Sequence, residues 1–274
     1  MNTDFDYIIY GASLSGCLLA EKMTAKGKKI LLLNNFGFPG SSLTEGLNCL
    51  QTINNIKNNS VQKIINDIKL DKHGILSECE THCVLNPETI KFQLQKSVQD
   101  SDLEILFHAK PVEIKNDNTL LVALKDGIKK FKFNKLIDMT DNLSLYKSMS
   151  LNSVQTKFIE INFIINKSEE KNPIEFKHIR EIVKLNDGRF WVSLQIDGKD
   201  TTNENIQTII DNFSKLLLNS NRRIQLLPSE YIYTFSQFYN PEKSRLLTKY
   251  DLTNRLYKTD EIFIEAEHIL STNI

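Results

Sequence analysis

The chain has 274 residues, 41% of them hydrophobic, enough to bury a core in one large or two modest domains. Lys plus Arg and Asp plus Glu each number 34, so the formal net charge is zero and no nucleic-acid surface or acidic tail is indicated. No apolar run approaches the roughly 18 residues of a spanning helix, and strand-like sequence begins close to Met1. A membrane span and a secretory leader are therefore not expected, and Cys17, Cys49, Cys79 and Cys83 show no disulfide framework. The expected location is a reducing cytoplasm.

Tyr7 to Tyr10 is a short apolar run of the kind found in buried strands. It ends at Gly11-Ala12-Ser13-Leu14-Ser15-Gly16, which reads as a turn, with helical periodicity beginning at Cys17 and running through Leu18, Leu19, Ala20 and Met23. Gly27 is a C′ stop, and Lys29 to Leu33 is a second strand. Strand, glycine turn, helix and strand within about 30 residues form the βαβ unit that binds dinucleotides. Gly11 permits the sharp reversal, and Gly16 permits close helix–strand packing. N–H groups of the first helical turn would then face a pyrophosphate, aided by a dipole worth about 0.3–1 kcal/mol per charge. Ser13 stands where the middle glycine is usual, adding a Cβ and offering a hydroxyl donor. The second strand ends in Asn34-Asn35 in place of an acidic residue. A neutral hydrogen bond to a ribose is worth about 0.5–1.5 kcal/mol against about 1.5–3 for a charged one, so weakened dinucleotide binding is expected.

Phe36 to Asn48, with Gly37, Pro39, Gly40 and Gly46, reads as a loop leaving the carboxyl end of a strand toward the ligand crevice. A helix is expected over Val61 to Ile68, continuing toward Leu76. Asn86 as N-cap with Pro87 at N1 begins another, ending near Gln99. Glu104 to Phe107 reads as a third parallel strand. Val112 to Ile114, Leu120 to Leu124 and Ile128 to Phe133 form an antiparallel meander, and Lys135 to Met139 a further strand before a short helix with Leu143 and Leu145. Beyond about Ser150 come strands at Gln155 to Ile165, Phe190 to Ile196 and Tyr231 to Phe238. An amphipathic helix over Asn203 to Leu218 lies between the last two. These give an α+β second domain.

Cys79-Glu80-Thr81-His82-Cys83 falls short of a four-ligand metal set, so no metal is expected. His108 closes a strand near the crevice. Arg180, Arg222, Arg223 and Arg245 are candidates to hold an anionic substrate, and Trp191 with Tyr231, Tyr233, Phe235 and Phe238 to line an aromatic pocket. Solvated surface charge for the arginines, a structural or surface role for His108 and core packing for the aromatic residues are the readings favoured over these.

Four stretches together resemble the FAD-dependent oxidoreductases of the glutathione-reductase-like FAD fold. They are Tyr10 to Asn35, Gly40-Ser41-Ser42 to Leu47, Leu85-Asn86-Pro87-Glu88-Thr89 through Pro111-Val112-Glu113-Ile114, and Leu136-Ile137-Asp138-Met139-Thr140-Asp141-Asn142. The resemblance implies a Rossmann-like FAD-binding domain over 1–150, with a parallel sheet and an antiparallel β-meander. It implies an α+β substrate or cap-like domain over 151–274, from which the chain returns in part to the first. Gly11, Ser13, Leu14, Ser15 and Gly16 would hold the pyrophosphate, Asn34 and Asn35 the ribose, and Val112 the adenine. Gly40, Ser41 and Ser42 would approach the flavin, while Thr140 and Asp141 would close over the dinucleotide. Asp141 stands where the family has glycine, and would repel a pyrophosphate if it faced inward. The family's glycine-rich closing strand and helix are not evident before Ile274.

The expected cofactor is FAD, with NAD(P) second, and the expected activity is oxidoreduction of a small organic substrate. The alternative is a catalytically degenerate relative serving as a binding or partner subunit, with a partner chain completing the flavin site.

Overall fold

The computed structural model describes residues 3–101, 103–149, 154–167, 174–253 and 261–274. Strand β1 (Asp4–Tyr10) starts three residues before its apolar run, because Asp4 and Phe5 already pair with Lys132 and Phe133 of a neighbouring strand. Helix α1 (Leu14–Ala25) begins inside the glycine motif, not at Cys17: the Ser13 hydroxyl accepts the Gly16 N–H at 3.1 Å as an N-cap. Gly27, with φ +77°, follows the helix, and β2 (Ile30–Leu33) lies parallel to β1.

A single 3-10 turn at Ser41–Leu43 leads to β3 (Leu50–Gln51) and α2 (Asn59–Leu70). The helix expected to reach Leu76 stops earlier. Asp71 leaves the helical conformation, Gly74 turns the chain, and β4 (Ile75–Glu78) and β5 (Cys83–Leu85) join β3 in a small antiparallel sheet. Helix α3 (Pro87–Gln99) carries the expected Asn86 cap, and β6 (Glu104–Leu106) adds to β2 in parallel.

The meander is β7 (Lys110–Ile114), β8 (Thr119–Leu124) and β9 (Gly127–Asp138). The strands read separately at Ile128 to Phe133 and Lys135 to Met139 are one. The first half of β9 alternates between exposed and buried as an antiparallel partner of β8. From Leu136 to Asp138 it is buried on both faces between β1 and a later strand, so the sequence pattern changes midway. Helix α4 (Ser144–Met149) follows.

The second layer contains β10 (Val154–Ile165), β11 (Ile179–Lys184), β12 (Phe190–Asp197), α5 (Asn203–Asn219), β13 (Ile224–Leu226) and β14 (Ile232–Phe238). Its sheet runs β11-β12-β10-β13, with β14 also on β10. One face of this sheet, including Ile161, Phe163 and Val192, packs on Ile206, Phe213 and Leu217 of α5. The other carries Asn162 and Trp191, which bond to the carbonyls of Gly46 and Leu47. The boundary expected at 150 and 151 lies outside the described residues.

The chain then returns to the first sheet. Strand β15 (Leu246–Thr248) pairs in parallel with β9 beside β1, and α6 (Lys249–Thr253) and α7 (Ile262–Ser271) follow, with α7 packed along α1. A closing strand and helix are therefore present, whereas the sequence reading found none. They were not evident because residues 246–271 contain no glycine. The first sheet runs β6-β2-β1-β9-β8-β7 with β15 on β9. This is a mixed α/β fold: a Rossmann-like unit with an antiparallel meander, and an α+β unit built on the second sheet.

The motif glycines are fixed by the fold itself. A Cβ on Gly11, at φ +107°, would meet Met139 C and Thr140 N at 2.8 Å, and one on Gly16 would meet the Gly11 carbonyl oxygen at 2.1 Å. We predict that Gly16→Ala lowers unfolding free energy by about 1–3 kcal/mol or more, because only backbone can yield. Urea denaturation measures this, and an unchanged midpoint would show that helix and turn separate more easily than their packing implies.

Candidate dinucleotide site

The site expected from sequence lies at the carboxyl ends of β1 and β2, where the sheet order reverses direction around β1 and ligand crevices form in such sheets. The structure brings Gly11 to Gly16, Asn34, Gly40 to Ser42, Thr140 and Asp141 together there. Asn35 points to solvent, and Val112, on β7, is 56% exposed.

Several polar groups of this cradle already have protein partners. The Ala12 N–H donates to Asn34 Oδ1 at 3.3 Å, while the Asn34 amide donates to the carbonyls of Phe36 and Phe38 at 3.2 and 2.7 Å. Asn34 thus organises its own loop and is 1% exposed. Ser13 caps Gly16 and donates to the Met139 carbonyl at 3.3 Å. The Gly40 N–H donates to the Ala12 carbonyl at 2.7 Å, which lays the loop after β2 directly on the turn. Thr140 bonds to Asp138 and accepts the Ser144 N–H, so it shapes the start of α4. Ala12, Leu14 and Ser15 are each 0% exposed, leaving no water-sized space against them.

The centre of the cluster is Lys249, the first residue of α6, which sequence reasoning did not single out. Its ammonium lies 2.5 Å from Asp141 Oδ1 and 3.1 Å from Glu265 Oε2, with all three side chains at most 4% exposed. Asp141 also accepts the Ser42 N–H at 3.2 Å, and Glu265, on α7, accepts the Ser15 hydroxyl at 3.0 Å. Burial alone would pull Lys249 down, but Asp141 and Glu265 hold its pKa well above the usual lysine value. Burial pushes Glu265 up, opposed by Lys249. Glu230 faces the same cluster: burial first, then Asp141, with Lys249 opposing, place its pKa at about 8. Glu45 and Asp138 add to that push.

Other sequence candidates have structural partners. Arg180 pairs with the buried Glu160. With Trp191, His82 and Leu50 they line a cavity of about 350 Å³ between the second sheet and β3 to β5. His108 packs against Gly37, and Tyr233 stacks on Phe235 beneath Lys147. No helix among the described residues is long and apolar enough to cross a membrane.

The family described as FAD dependent oxidoreductase matches residues 6–146, just over half of the chain. The chain belongs to that family. The match supports FAD as the cofactor, as the sequence resemblance implied. No curated protein matches the chain in sequence.

Solved structures share the fold. The myxobacterial chondrochloren halogenase CndH aligns with a TM-score of 0.63 at 11% identity, covering 98% of this chain and 73% of that one. The p-nitrophenol 4-monooxygenase PnpA from Pseudomonas putida DLL-E4 aligns with a TM-score of 0.60 at 12% identity, covering 90% and 72%. Aklavinone-11 hydroxylase, solved with FAD and aklavinone, aligns with a TM-score of 0.59 at 12% identity, covering 92% of this chain. The chain spans only 58% of that hydroxylase and 55% of the anhydrotetracycline hydroxylase OxyS from Streptomyces rimosus.

As folded here, the family's cradle does not fit the diphosphate of its cofactor. The Ser13, Ser15 and Thr140 hydroxyls and the Ala12 and Gly16 N–H groups are engaged, and the Lys249 ammonium is matched against two carboxylates.

Two outcomes follow for the protein itself. Lys249→Met should cost about 3–5 kcal/mol at neutral pH, because it strands two buried carboxylates; chemical denaturation measures this. A carboxyl whose pKa is raised on folding binds its proton more tightly in the folded chain. Stability should therefore fall as pH climbs from about 4.5 to 8 and then level off. Thermal melts across that range should show the slope, and Glu230→Gln should flatten it.

Proposed function

We propose that this protein is an FAD-dependent oxidoreductase acting on a small organic molecule in the cytoplasm, and that it accepts flavin only when the cluster around Lys249 opens. The observation that supports this is the Ser13-capped amino end of α1, set where the sheet order reverses, in a chain of the FAD-dependent family. The bound cofactor would supply the redox chemistry. The residues of this chain would position it: Leu14 and Ser15 at the helix start, and the Gly40 to Ser42 loop lifting away from Ala12. The cavity between Trp191 and Leu50 offers room for a small organic ligand on the side of the second sheet.

A second proposal is favoured by the excess of buried carboxylate at the cradle: a relative that keeps the architecture without catalysis and serves as a partner subunit. Purified protein separates the two. A yellow preparation that releases FAD on denaturation, with bound flavin reduced by NADH or NADPH, supports the enzyme. A colourless preparation that takes up no FAD in titration supports the partner subunit.

A further inference from the structure

We infer that Asp141, Lys249 and Glu265 form an internal latch in which the chain's own carboxylates compete with an incoming diphosphate. This rests on the flavin-binding proposal and specifies what controls the same site. Three elements meet at the latch. Asp141 follows β9 and is tied to the Ser42 N–H of the loop that covers the turn, so one carboxylate holds the lid and the ammonium together. Lys249 arrives on α6 from the far end of the chain. Glu265 arrives on α7 and takes the Ser15 hydroxyl from the first turn of α1.

Charge explains why the closed form resists an anion. Asp141 and Glu265, with Glu230 beside them, outnumber Lys249 inside a buried site, and a diphosphate would add to that excess. The pocket is also not fully satisfied. The hydroxyl of Tyr250, a residue 3% exposed whose ring lies 5.4 Å from the Lys249 ammonium, has no hydrogen-bond partner. A group that enters when the latch opens would find the freed ammonium. Removing one negative charge while keeping the shape should therefore tilt the competition toward the ligand.

The test uses the full chain with Asp141→Asn and, separately, Glu265→Gln, each of which retains an oxygen able to accept the bond from Ser42 or Ser15. FAD is titrated by flavin fluorescence, and sodium pyrophosphate is scored by thermal shift against chloride at equal ionic strength. Both variants should bind FAD at least tenfold more tightly than the parent chain, and pyrophosphate should raise their melting temperatures more than the parent's. Equal FAD affinity in all three proteins would overturn the latch and leave the flavin proposal standing. If none binds FAD but pyrophosphate stabilises only the variants, the latch stands and the flavin proposal falls. Absence of both effects in variants with native circular dichroism would overturn the latch.

Discussion

The buried contact between Lys249 and its two carboxylates is the constraint on which the rest of the site depends. An ammonium with no exposure is tolerable only because opposite charge surrounds it, and the reverse holds for Asp141 and Glu265. Each partner comes from a different part of the chain. The cluster therefore fixes how the strand end, the covering loop and the terminal helix meet. Buried ion pairs often add little net stability over well-packed apolar groups, and specificity of arrangement is the role that best fits this one. Ser15 and Ser42 show how far the arrangement reaches, since both take orders from its carboxylates and not from solvent.

The glycine motif has two sets of reasons to exist, and they separate here. Gly11 and Gly16 are demanded by backbone contact alone, with Met139 and Thr140 against one and the Gly11 carbonyl against the other. The sequence signal therefore persists whether or not the turn is open to a ligand. Ser13 fits the same logic, because its hydroxyl caps the helix and reaches the Met139 carbonyl. A motif read as a phosphate cradle is equally a device for packing a helix onto a sheet.

This explains how much could be read in advance. The βαβ unit, the Asn86-capped helix and the meander follow from local patterns, so they were legible. Asp141 was legible as a departure from the family's glycine, and it is buried against Lys249. Lys249 and Glu265 were not legible, because nothing local distinguishes a buried lysine in Thr248-Lys249-Tyr250 from a solvated one. Only the parallel pairing of β15 with β9 carries it inside. The division of β9 into two strands has a similar cause: burial on one face gives way to burial on two, and alternation vanishes without any break in the backbone.

The return of β15 and α7 to the first sheet has a consequence for how the molecule is made. The groove that β1, β9 and α1 leave for these elements must wait while the entire second layer is synthesised, since their partners lie roughly two hundred and more positions downstream of β1. Closing so large a loop is entropically costly and slow. During that interval the apolar flank of α1 stands uncovered, and a nascent chain in this condition is a natural client for chaperones.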